Sequence, residues 1–227
     1  MSLEEFRSEV RNRKRYPFGR NWRRFLTNLN EERIREAETS LKSMLEVKSL
    51  NGKTFLDVGS GSGLFSLAAR NLGAKVVSFD FDESSVWCTL ELKDRYYDGD
   101  ASWTVVQGSV LDNAFLSKLG AFDYVYSWGV LHHTGNMWRA IENAATFCKP
   151  NGEFAIALYV KTPMCEMWKK EKRLYCDYPV LRPLVRVPYT GLLLARQSVA
   201  NRRSPQRYLR EYKAGRGMDF FVDIKDW

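Results

Sequence analysis

Apolar runs of strand length alternate with stretches of helical periodicity across residues 50–160. One such stretch follows residue 63, where Leu64, Leu67, Ala68 and Leu72 recur at helical spacing. A repeated strand–helix order is typical of a parallel sheet, whose strands all end at one edge. The pattern therefore predicts an α/β fold: a doubly wound, mainly parallel sheet with helices on both faces. The predicted strands are a run from Phe55 into Asp57, then 74–79, 103–110 with its exit loop, 122–127 and 153–160.

Two further signals border this pattern. Residues 31–47 place Ile34, Ala37 and Leu41 at helical spacing, which predicts an amphipathic helix packed on the sheet before the first strand. Before the fifth strand, the segment 149–152 (Lys-Pro-Asn-Gly) predicts a turn.

A glycine-rich loop follows the first strand. After Asp57, glycine occupies positions 59, 61 and 63, and the helical stretch begins directly afterwards. Glycine lets the backbone turn sharply and approach a ligand closely. Backbone N–H groups at a helix N-terminus favour a polar ligand. A dinucleotide fingerprint does not fit, because its last glycine would fall at Leu64 or Ser66.

An acidic residue ends the second predicted strand. Asp80 follows the apolar run 74–79 and lies seventeen positions after Gly63. A carboxylate at this place can accept hydrogen bonds from both hydroxyls of a ribose. Asp82 is an alternative, but it falls beyond the strand and is expected to cap the following helix.

An acidic residue two positions before an alternating Gly-x-Gly-x-Gly loop, followed by Asp80, resembles motif I of the class I S-adenosylmethionine-dependent methyltransferases. The resemblance covers about residues 50–160 and points to the small-molecule branch, with a Rossmann-like core. It implies S-adenosyl-L-methionine as cofactor and S-adenosyl-L-homocysteine as product. In this family the loop after the third strand covers the adenine, and Ser109 stands where Asp is frequent. The cofactor-binding residues implied are Asp57, Gly59, Ser60, Gly61, Gly63, Asp80, Phe81, Ser109, Val110, Ser127 and Trp128.

Candidate catalytic residues follow the fourth predicted strand. His132 and His133 are the only histidines of the chain, and a histidine with a near-neutral pKa suits removal of a proton from a hydroxyl or an ammonium group. The Leu-His pair at 131–132 resembles phosphoethanolamine methyltransferases, where such a histidine pairs with an N-terminal tyrosine. This implies Tyr16 as a partner. Either histidine alternatively only shapes the cofactor pocket.

The N-terminal arm interleaves aromatic residues and arginines over residues 16–25. Such a segment can stack bases and hold phosphates, or it can close over the cofactor as an aromatic clasp. The resemblance favours the clasp, with Phe18, Trp22 and Trp138 as substrate or lid residues.

Charge is distributed unevenly along the chain. The net charge of +8 combines +5 in residues 1–30, −5 in residues 31–160, +10 in residues 161–216 and −2 in residues 217–227. Basic flanks favour an anionic substrate, an acidic partner or a membrane surface. In residues 180–196, Pro183 and Pro188 argue against one regular amphipathic helix. We expect this segment to pack inside a lid rather than contact a membrane.

Composition and missing motifs narrow the function further. The four cysteines form no Cys-x-x-Cys pair, so neither a disulfide framework nor a metal site is expected. The absence of a signal peptide and of a long apolar run suggests a cytoplasmic protein. The fourth strand is followed by Ser127-Trp128-Gly129-Val130 instead of an Asp/Asn-Pro-Pro-aromatic motif, and no cysteine follows a proline. Nucleobase methylation is therefore not expected.

The organisation predicted is an N-terminal arm and helix (1–48), an α/β core (49–160), and a basic helical insertion with an incomplete C-terminal region (161–227). The family sheet has seven strands, but here only residues 220–224 resemble a late strand. The C-terminal strands are thus expected to be missing or shortened, which leaves an open sheet edge and predicts a homo-oligomer. The predicted function is methyl transfer to an oxygen or nitrogen of a small anionic metabolite. The alternatives are an RNA- or membrane-surface-directed methyltransferase and a non-catalytic cofactor-binding subunit; the acceptor itself is not encoded in a recognisable motif.

Overall fold

The computed structural model describes residues 18–160 and 182–216, together with residues 4, 8, 165–167, 170, 173, 174, 178 and 220. It contains two compact units, Met1–Tyr159 and Val160–Trp227.

The first unit contains a five-stranded sheet in the order β3-β2-β1-β4-β5, and all neighbouring strands are parallel. The chain moves outward from β1 to β3 and then returns to β4 on the other side of β1. This reversal confirms the predicted doubly wound α/β fold and places a crevice at the carboxyl ends of β1 and β4. The strands are β1 Thr54–Val58, β2 Lys75–Asp80, β3 Trp103–Gln107, β4 Phe122–Trp128 and β5 Cys148–Ala157.

Side-chain caps begin several of the helices, whereas the helix that begins at Leu64 has none. Asn30 accepts a hydrogen bond from the backbone N–H of Arg33, and Asp82 accepts one from Ser84, which confirms Asp82 as a helix cap. The first unit contains α1 Phe18–Thr27, α2 Glu31–Met44, α3 Leu64–Asn71, α4 Glu83–Tyr97, α5 Asn113–Leu116, a 3-10 turn Leu131–His133 and α6 Met137–Ala145.

Helices cover both faces of the sheet, as predicted. On one face, Leu41 of α2, Leu67 of α3 and Leu92 of α4 are buried in one hydrophobic cluster. On the other face, Leu116 of α5 and Ala144 of α6 belong to a second cluster. The sheet is therefore shielded from water on both sides, and its carboxyl edge is where polar side chains collect.

The predicted turn at 149–152 lies within β5, not before it. Strand β5 already begins at Cys148, and its pairing with β4 shifts between Phe122 and Tyr124. Asn151 has a φ of +67°, and a Cβ on Gly152 would lie 2.9 Å from the backbone oxygen of Asp123. The sequence pattern identified the turn residues but missed that the strand pairs on both sides of this irregularity.

Within the second unit, α7 spans Arg182–Ala200 and α8 spans Pro205–Arg216. The expectation that the prolines prevent a regular helix is wrong. Pro183 lies in the first turn, where its missing N–H has no helical partner, and Pro188 lies inside the helix at the loss of one hydrogen bond. Arg202, with a φ of +50°, lies in the turn between the two helices.

The expectation of a buried segment is also wrong for much of α7. Val187 is 65% exposed, Leu192 68% and Val199 79%. The strand-like run at 220–224 lies outside the described residues except for Phe220, which is helical and packs against the rings of Tyr208 and Tyr212. Among the described residues, the sheet has five strands.

Candidate active site

The glycine loop joins β1 to α3 and is tightly packed. Gly59, Gly61 and Gly63 have φ values of +82°, +55° and +80°, a region that side chains rarely adopt. A Cβ on Gly59 would lie 2.4 Å from Val130, and one on Gly63 would lie 2.8 Å from the Cα of Thr89. Glycine is thus required both by backbone conformation and by space. The contact with Val130 joins this loop to the loop after β4.

Backbone N–H groups of the glycine loop donate within the protein. Gly59 and Ser60 both donate to the carbonyl oxygen of Phe79, at 2.8 and 3.1 Å, and Gly63 donates to that of Ser60 at 2.8 Å. Gly61 donates to the Asp80 carboxylate at 3.0 Å. The side chain of Ser60 shares a 2.9 Å hydrogen bond with Thr89. The loop is therefore shaped before any ligand binds, and its contribution to a ligand is close approach of the backbone.

Asp80 ends β2 and points at the glycine loop. Its two carboxylate oxygens accept hydrogen bonds from Gly61, at 3.0 Å, and from the backbone of Asp82, at 2.9 Å. Burial raises the pKa of Asp80 to about 6, although the backbone donors act in the opposite direction. Each carboxylate oxygen has a second lone pair. Asp80 can therefore still accept hydrogen bonds from a ligand.

Asp57 is buried beneath the same loop and ends a relay of hydrogen bonds. The Trp103 indole donates to Ser78 at 2.9 Å, Ser78 donates to Ser66 at 2.7 Å, and Ser66 donates to Asp57 at 2.5 Å. Burial raises the pKa of Asp57 to about 7; the hydrogen bond from Ser66 lowers it, and the charge of Asp80 raises it further. The sequence pattern identified Asp57 but not the three residues behind it, because they come from β3, β2 and α3.

The loop after β3 carries Ser109 and Val110. The Ser109 hydroxyl accepts a hydrogen bond from the backbone of Leu111 at 3.1 Å, and Val110 is buried. Asn143 of α6 donates to the carbonyl oxygen of Val110 at 2.8 Å and fixes the loop. Phe81 lies across from this loop, at the end of β2, where its carbonyl oxygen accepts a hydrogen bond from Gln107 at 3.1 Å.

The two histidines follow β4 at the same edge of the sheet. His132 is half-buried, and burial lowers its pKa, so its ring is neutral at physiological pH. Both ring nitrogens are buried, and neither has a hydrogen-bond partner among the described residues. His133 is exposed and its ring centroid lies 4.0 Å from that of His132.

Tyr159, which sequence reasoning missed, lies beside both histidines. Its ring centroid is 4.3 Å from that of His132 and 5.8 Å from that of His133. It follows the end of β5 by two residues and is 75% exposed. The position after a parallel strand is the one signal that could have identified it.

Aromatic residues at the end of β4 complete this side of the site. Ser127 is buried and donates to the carbonyl oxygen of Val58 at 2.9 Å, which joins the tips of β4 and β1. Trp128 is 51% exposed, and its ring lies parallel to that of Tyr126 at 5.9 Å. The Tyr126 hydroxyl is buried without a hydrogen-bond partner in the described part of the chain.

Of the predicted arm and lid residues, the structure describes the side chains of Trp22 and Trp138. The indole nitrogen of Trp22, in α1, lies 3.0 Å from where a Cβ on Gly61 would be, so Trp22 covers the glycine loop. Trp138 lies in the first turn of α6 and is 70% exposed. Tyr16 and the side chain of Phe18 fall outside the described residues.

A family model described as a methyltransferase domain matches residues 29–191, which is well over half of the chain. The matched range includes the glycine loop, Asp80, both histidines and Tyr159.

Curated relatives match over shorter stretches. The ribosomal protein L11 methyltransferase of Helicobacter hepaticus is 39% identical over 70 residues, which cover 30% of this chain and 21% of that protein. The tRNA U34 carboxymethyltransferase of Methylococcus capsulatus is 29% identical over 114 residues, covering 50% of this chain and 34% of that protein. The chain thus spans only about a fifth and a third of the lengths of these two relatives.

Solved structures share the architecture at low sequence identity. Magnesium protoporphyrin IX methyltransferase from Synechocystis, crystallised with bound S-adenosylhomocysteine, has a TM-score of 0.50 and 20% identity, covering 62% of each chain. The YcgJ protein of Bacillus subtilis has a TM-score of 0.50 and 17% identity, covering 62% of this chain and 58% of that one. At these identities the likeness shows the fold.

Proposed function

Since the chain belongs to the methyltransferase domain family of class I enzymes, which use S-adenosylmethionine, we propose that it transfers a methyl group from this cofactor to an oxygen or nitrogen atom of a small acceptor. The matched range includes the residues gathered at the carboxyl edge of the sheet: the glycine loop, Asp80 and both histidines. This reaction requires residues that bind the cofactor, residues that align the acceptor and a base that removes the acceptor's proton.

The side chains at this edge fit S-adenosylmethionine. The Asp80 carboxylate would hold the ribose hydroxyls, and the glycine loop would allow the backbone to approach the cofactor closely. The backbone of Ser109 and Val110 would contact the adenine. The buried hydroxyl of Tyr126, which has no partner in the described residues, supports a polar ligand near the loop. When bound, the cofactor supplies a methyl group on a positively charged sulfur, which is already activated for transfer.

His132 is the base that we propose, and its unpartnered ring nitrogens are the observation that carries the proposal. A buried polar group without a partner is unfavourable in a folded protein unless a ligand satisfies it. Because burial lowers the pKa of His132, its neutral ring can accept a proton at physiological pH. One of these nitrogens would take up the proton that the hydroxyl or ammonium group of the acceptor loses in the transfer.

Tyr159 acts through His132 as a positioning residue. Its ring packs 4.3 Å from the imidazole and restricts the orientations that His132 can adopt. The exposed ring of Tyr159 offers an acceptor an uncharged surface next to the base, and the exposed ring of Trp128 lies at the end of β4, four residues before the base. An acceptor small enough to lie between these rings and the glycine loop fits this surface.

We also propose that the acceptor is anionic, because basic residues are in excess in the chain. Nine of these residues lie within 182–216, against Glu211 as the single acidic residue. The charge therefore supports an anionic partner for the second unit as directly as it supports an anionic acceptor.

The test combines cofactor titration with turnover. The full chain is titrated with S-adenosylmethionine by calorimetry, and methyl transfer is then measured with a panel of small hydroxyl and amine acceptors, anionic ones first. We expect His132→Ala to lower kcat by about 10²–10⁴-fold while leaving cofactor affinity unchanged. The matched control is His133→Ala, whose ring is exposed, and it should lower kcat far less.

The pH profile adds a second readout. A base acts when it is unprotonated, so kcat should fall as the pH drops through the lowered pKa of His132, below the usual value for histidine. Full activity in His132→Ala, or turnover only with RNA or protein acceptors, would contradict this proposal. Cofactor binding without any turnover would indicate a non-catalytic subunit instead.

A further inference from the structure

Helix α7 presents an exposed aliphatic stripe, formed by Pro188, Leu192, Ala195 and Val199. All four are exposed, and their spacing places them on one face of the helix over three turns. Leu192 and Val199 leave 68% and 79% of their surface accessible. Aliphatic side chains held in water along a whole helix face are unfavourable unless a partner covers them.

Basic residues lie beside this stripe and beyond its C-terminal end. Residues 182–216 contain nine arginines and lysines and one acidic residue, Glu211. Arg196 flanks the stripe, and Arg202, Arg203, Arg207 and Arg210 are all exposed in the turn and the first half of α8. Glu211 pairs with Arg203 and with Arg207, the latter at 2.9 Å, so one carboxylate opposes four guanidinium groups. The surface next to the stripe is thus strongly positive.

We propose that α7 and the arginines of the α7–α8 turn bind the surface of an anionic lipid bilayer. An aliphatic helix face with basic neighbours is the pattern by which a helix lies in the interface between headgroups and acyl chains. The arginines then contact anionic headgroups. No helix among the described residues combines the length and apolarity that crossing a bilayer requires. Helix α7 would therefore lie along the membrane surface.

Two other occupants fit the surface less well. RNA phosphates would contact the arginines, but RNA would leave Leu192 and Val199 uncovered. Surfaces that bind single-stranded nucleic acid stack the bases on aromatic rings instead. A second copy of the chain could cover the stripe, but it carries the same excess of arginines over acidic residues and so offers them no complementary charge. A lipid surface alone satisfies both the aliphatic stripe and the positive charge. This inference is independent of the proposed methyl transfer.

The experiment is co-sedimentation of the full chain with vesicles of pure phosphatidylcholine and of an equal mixture of phosphatidylcholine and phosphatidylserine, at low and high salt. We expect binding to the mixed vesicles only, weakened by salt. The double variant Leu192→Gln/Val199→Gln retains every charge and should bind the mixed vesicles at least about tenfold more weakly than the unaltered chain. Arg202→Gln/Arg210→Gln, which spares the partners of Glu211, should also bind more weakly.

Two controls separate the stripe from general effects. Leu90→Gln removes an exposed leucine of α4, in the first unit, and should bind vesicles like the unaltered chain. Circular dichroism of each variant should show an unchanged helix content, which excludes unfolding as the cause of lost binding. Labelled RNA and sedimentation velocity, with the same variants, test the other occupants.

Several outcomes would overturn the proposal. These are no binding to anionic vesicles, vesicle binding unaffected by the stripe variant, and a self-association that the stripe variant abolishes. Tight RNA binding that depends on the arginines, with no vesicle binding, would assign the surface to nucleic acid.

Discussion

Asp57 and Asp80 are carboxyl groups whose pKa burial raises, to about 7 and about 6, and both lie at the edge of the sheet around the glycine loop. Among the described residues, neither carboxyl group forms a salt bridge with a basic side chain, so neither is stabilised by an ion pair. Their presence in a buried place therefore favours a ligand-binding role over a structural one. Each leads to a prediction at the scale of a single residue.

Asp80→Ala removes the proposed partner of the ribose hydroxyls. We expect S-adenosylmethionine to bind more weakly by about 1–3 kcal/mol, which is the free energy lost when hydrogen-bonded groups are left without a partner. Calorimetric titration measures this, with Asp94→Ala as the matched control, since Asp94 is an exposed carboxylate farther along α4. Equal affinities in the two variants would remove Asp80 from the cofactor site.

Asp57→Asn should stabilise the fold at high pH. The pKa of Asp57 is raised in the folded state, so the folded chain holds the proton more tightly than the unfolded chain does. Stability is lost as the pH rises from the unfolded pKa, about 4, to the folded one, and one unit of pKa difference corresponds to about 1.4 kcal/mol. Asparagine has no such charge. Urea unfolding at pH 8 should therefore show a gain of more than about 1 kcal/mol, which shrinks toward pH 4.

A gain that does not change between pH 4 and pH 8 would indicate that packing, and not ionisation, distinguishes Asp57→Asn. An equal loss of stability at every pH would show that the relay through Ser66 requires a carboxylate.

At the scale of elements, the opposite edge of the sheet contains a clamp that joins β1, β4 and β5. Asp123, at the start of β4, accepts hydrogen bonds from the backbone and side chain of Thr54, both at 2.8 Å, and from Lys149 of β5 at 2.9 Å. These contacts, with the Thr54 backbone as the largest cause and Lys149 next, hold the pKa of Asp123 well below its usual range. The clamp aligns the strands whose other ends form the site.

Asp123→Ala should lower the free energy of unfolding by about 1–3 kcal/mol at pH 7, because the partly buried donors of Thr54 and Lys149 lose their acceptor. A depressed pKa contributes stability above the unfolded pKa of about 4, and this contribution is lost as the pH falls below that value. The difference between Asp123→Ala and the unaltered chain should therefore shrink in acid. Urea unfolding at pH 7 and pH 3 measures this difference in the free energy of unfolding. The substitution lowers the stability above about pH 4, whereas Asp57→Asn raises it there.

The loop after β4 shows how elements combine to form the site. Val130 packs on Gly59, and Tyr159 after β5 packs on His132 after β4. The sequence pattern identified the glycines and the histidine, since each has a local signature. It missed Tyr159 and Asn143, because an isolated tyrosine or asparagine has no signature until parallel pairing brings strand ends together.

At the scale of the whole molecule, the open edge of β5 predicts self-association. In the described residues β5 pairs only with β4, so its other edge is free of strand partners. Exposed edges favour pairing with another chain. Sedimentation velocity over a wide concentration range should show a dimer or larger species, and a monomer at the highest concentration would contradict the prediction.

The family of the chain was predictable because its motifs are local. The alternating glycines, Asp57 and Asp80 lie at strand ends that hydrophobic periodicity also marks, and the match to a methyltransferase domain confirms the predicted family and cofactor class. Boundaries were less predictable. The prolines of α7 and the irregularity inside β5 were misjudged, because pairing and packing outweigh local propensity.

The sequence by itself determined the order of strands and helices, the alternating glycines of the loop after β1, and the uneven distribution of charge. These are properties of single residues and short spacings. Only the tertiary structure decided that His132 has buried, unpartnered nitrogens, that three residues from separate elements stand behind Asp57, and that one face of α7 is exposed. Burial and contact between distant residues depend on how the chain folds back on itself, and no local pattern contains that information.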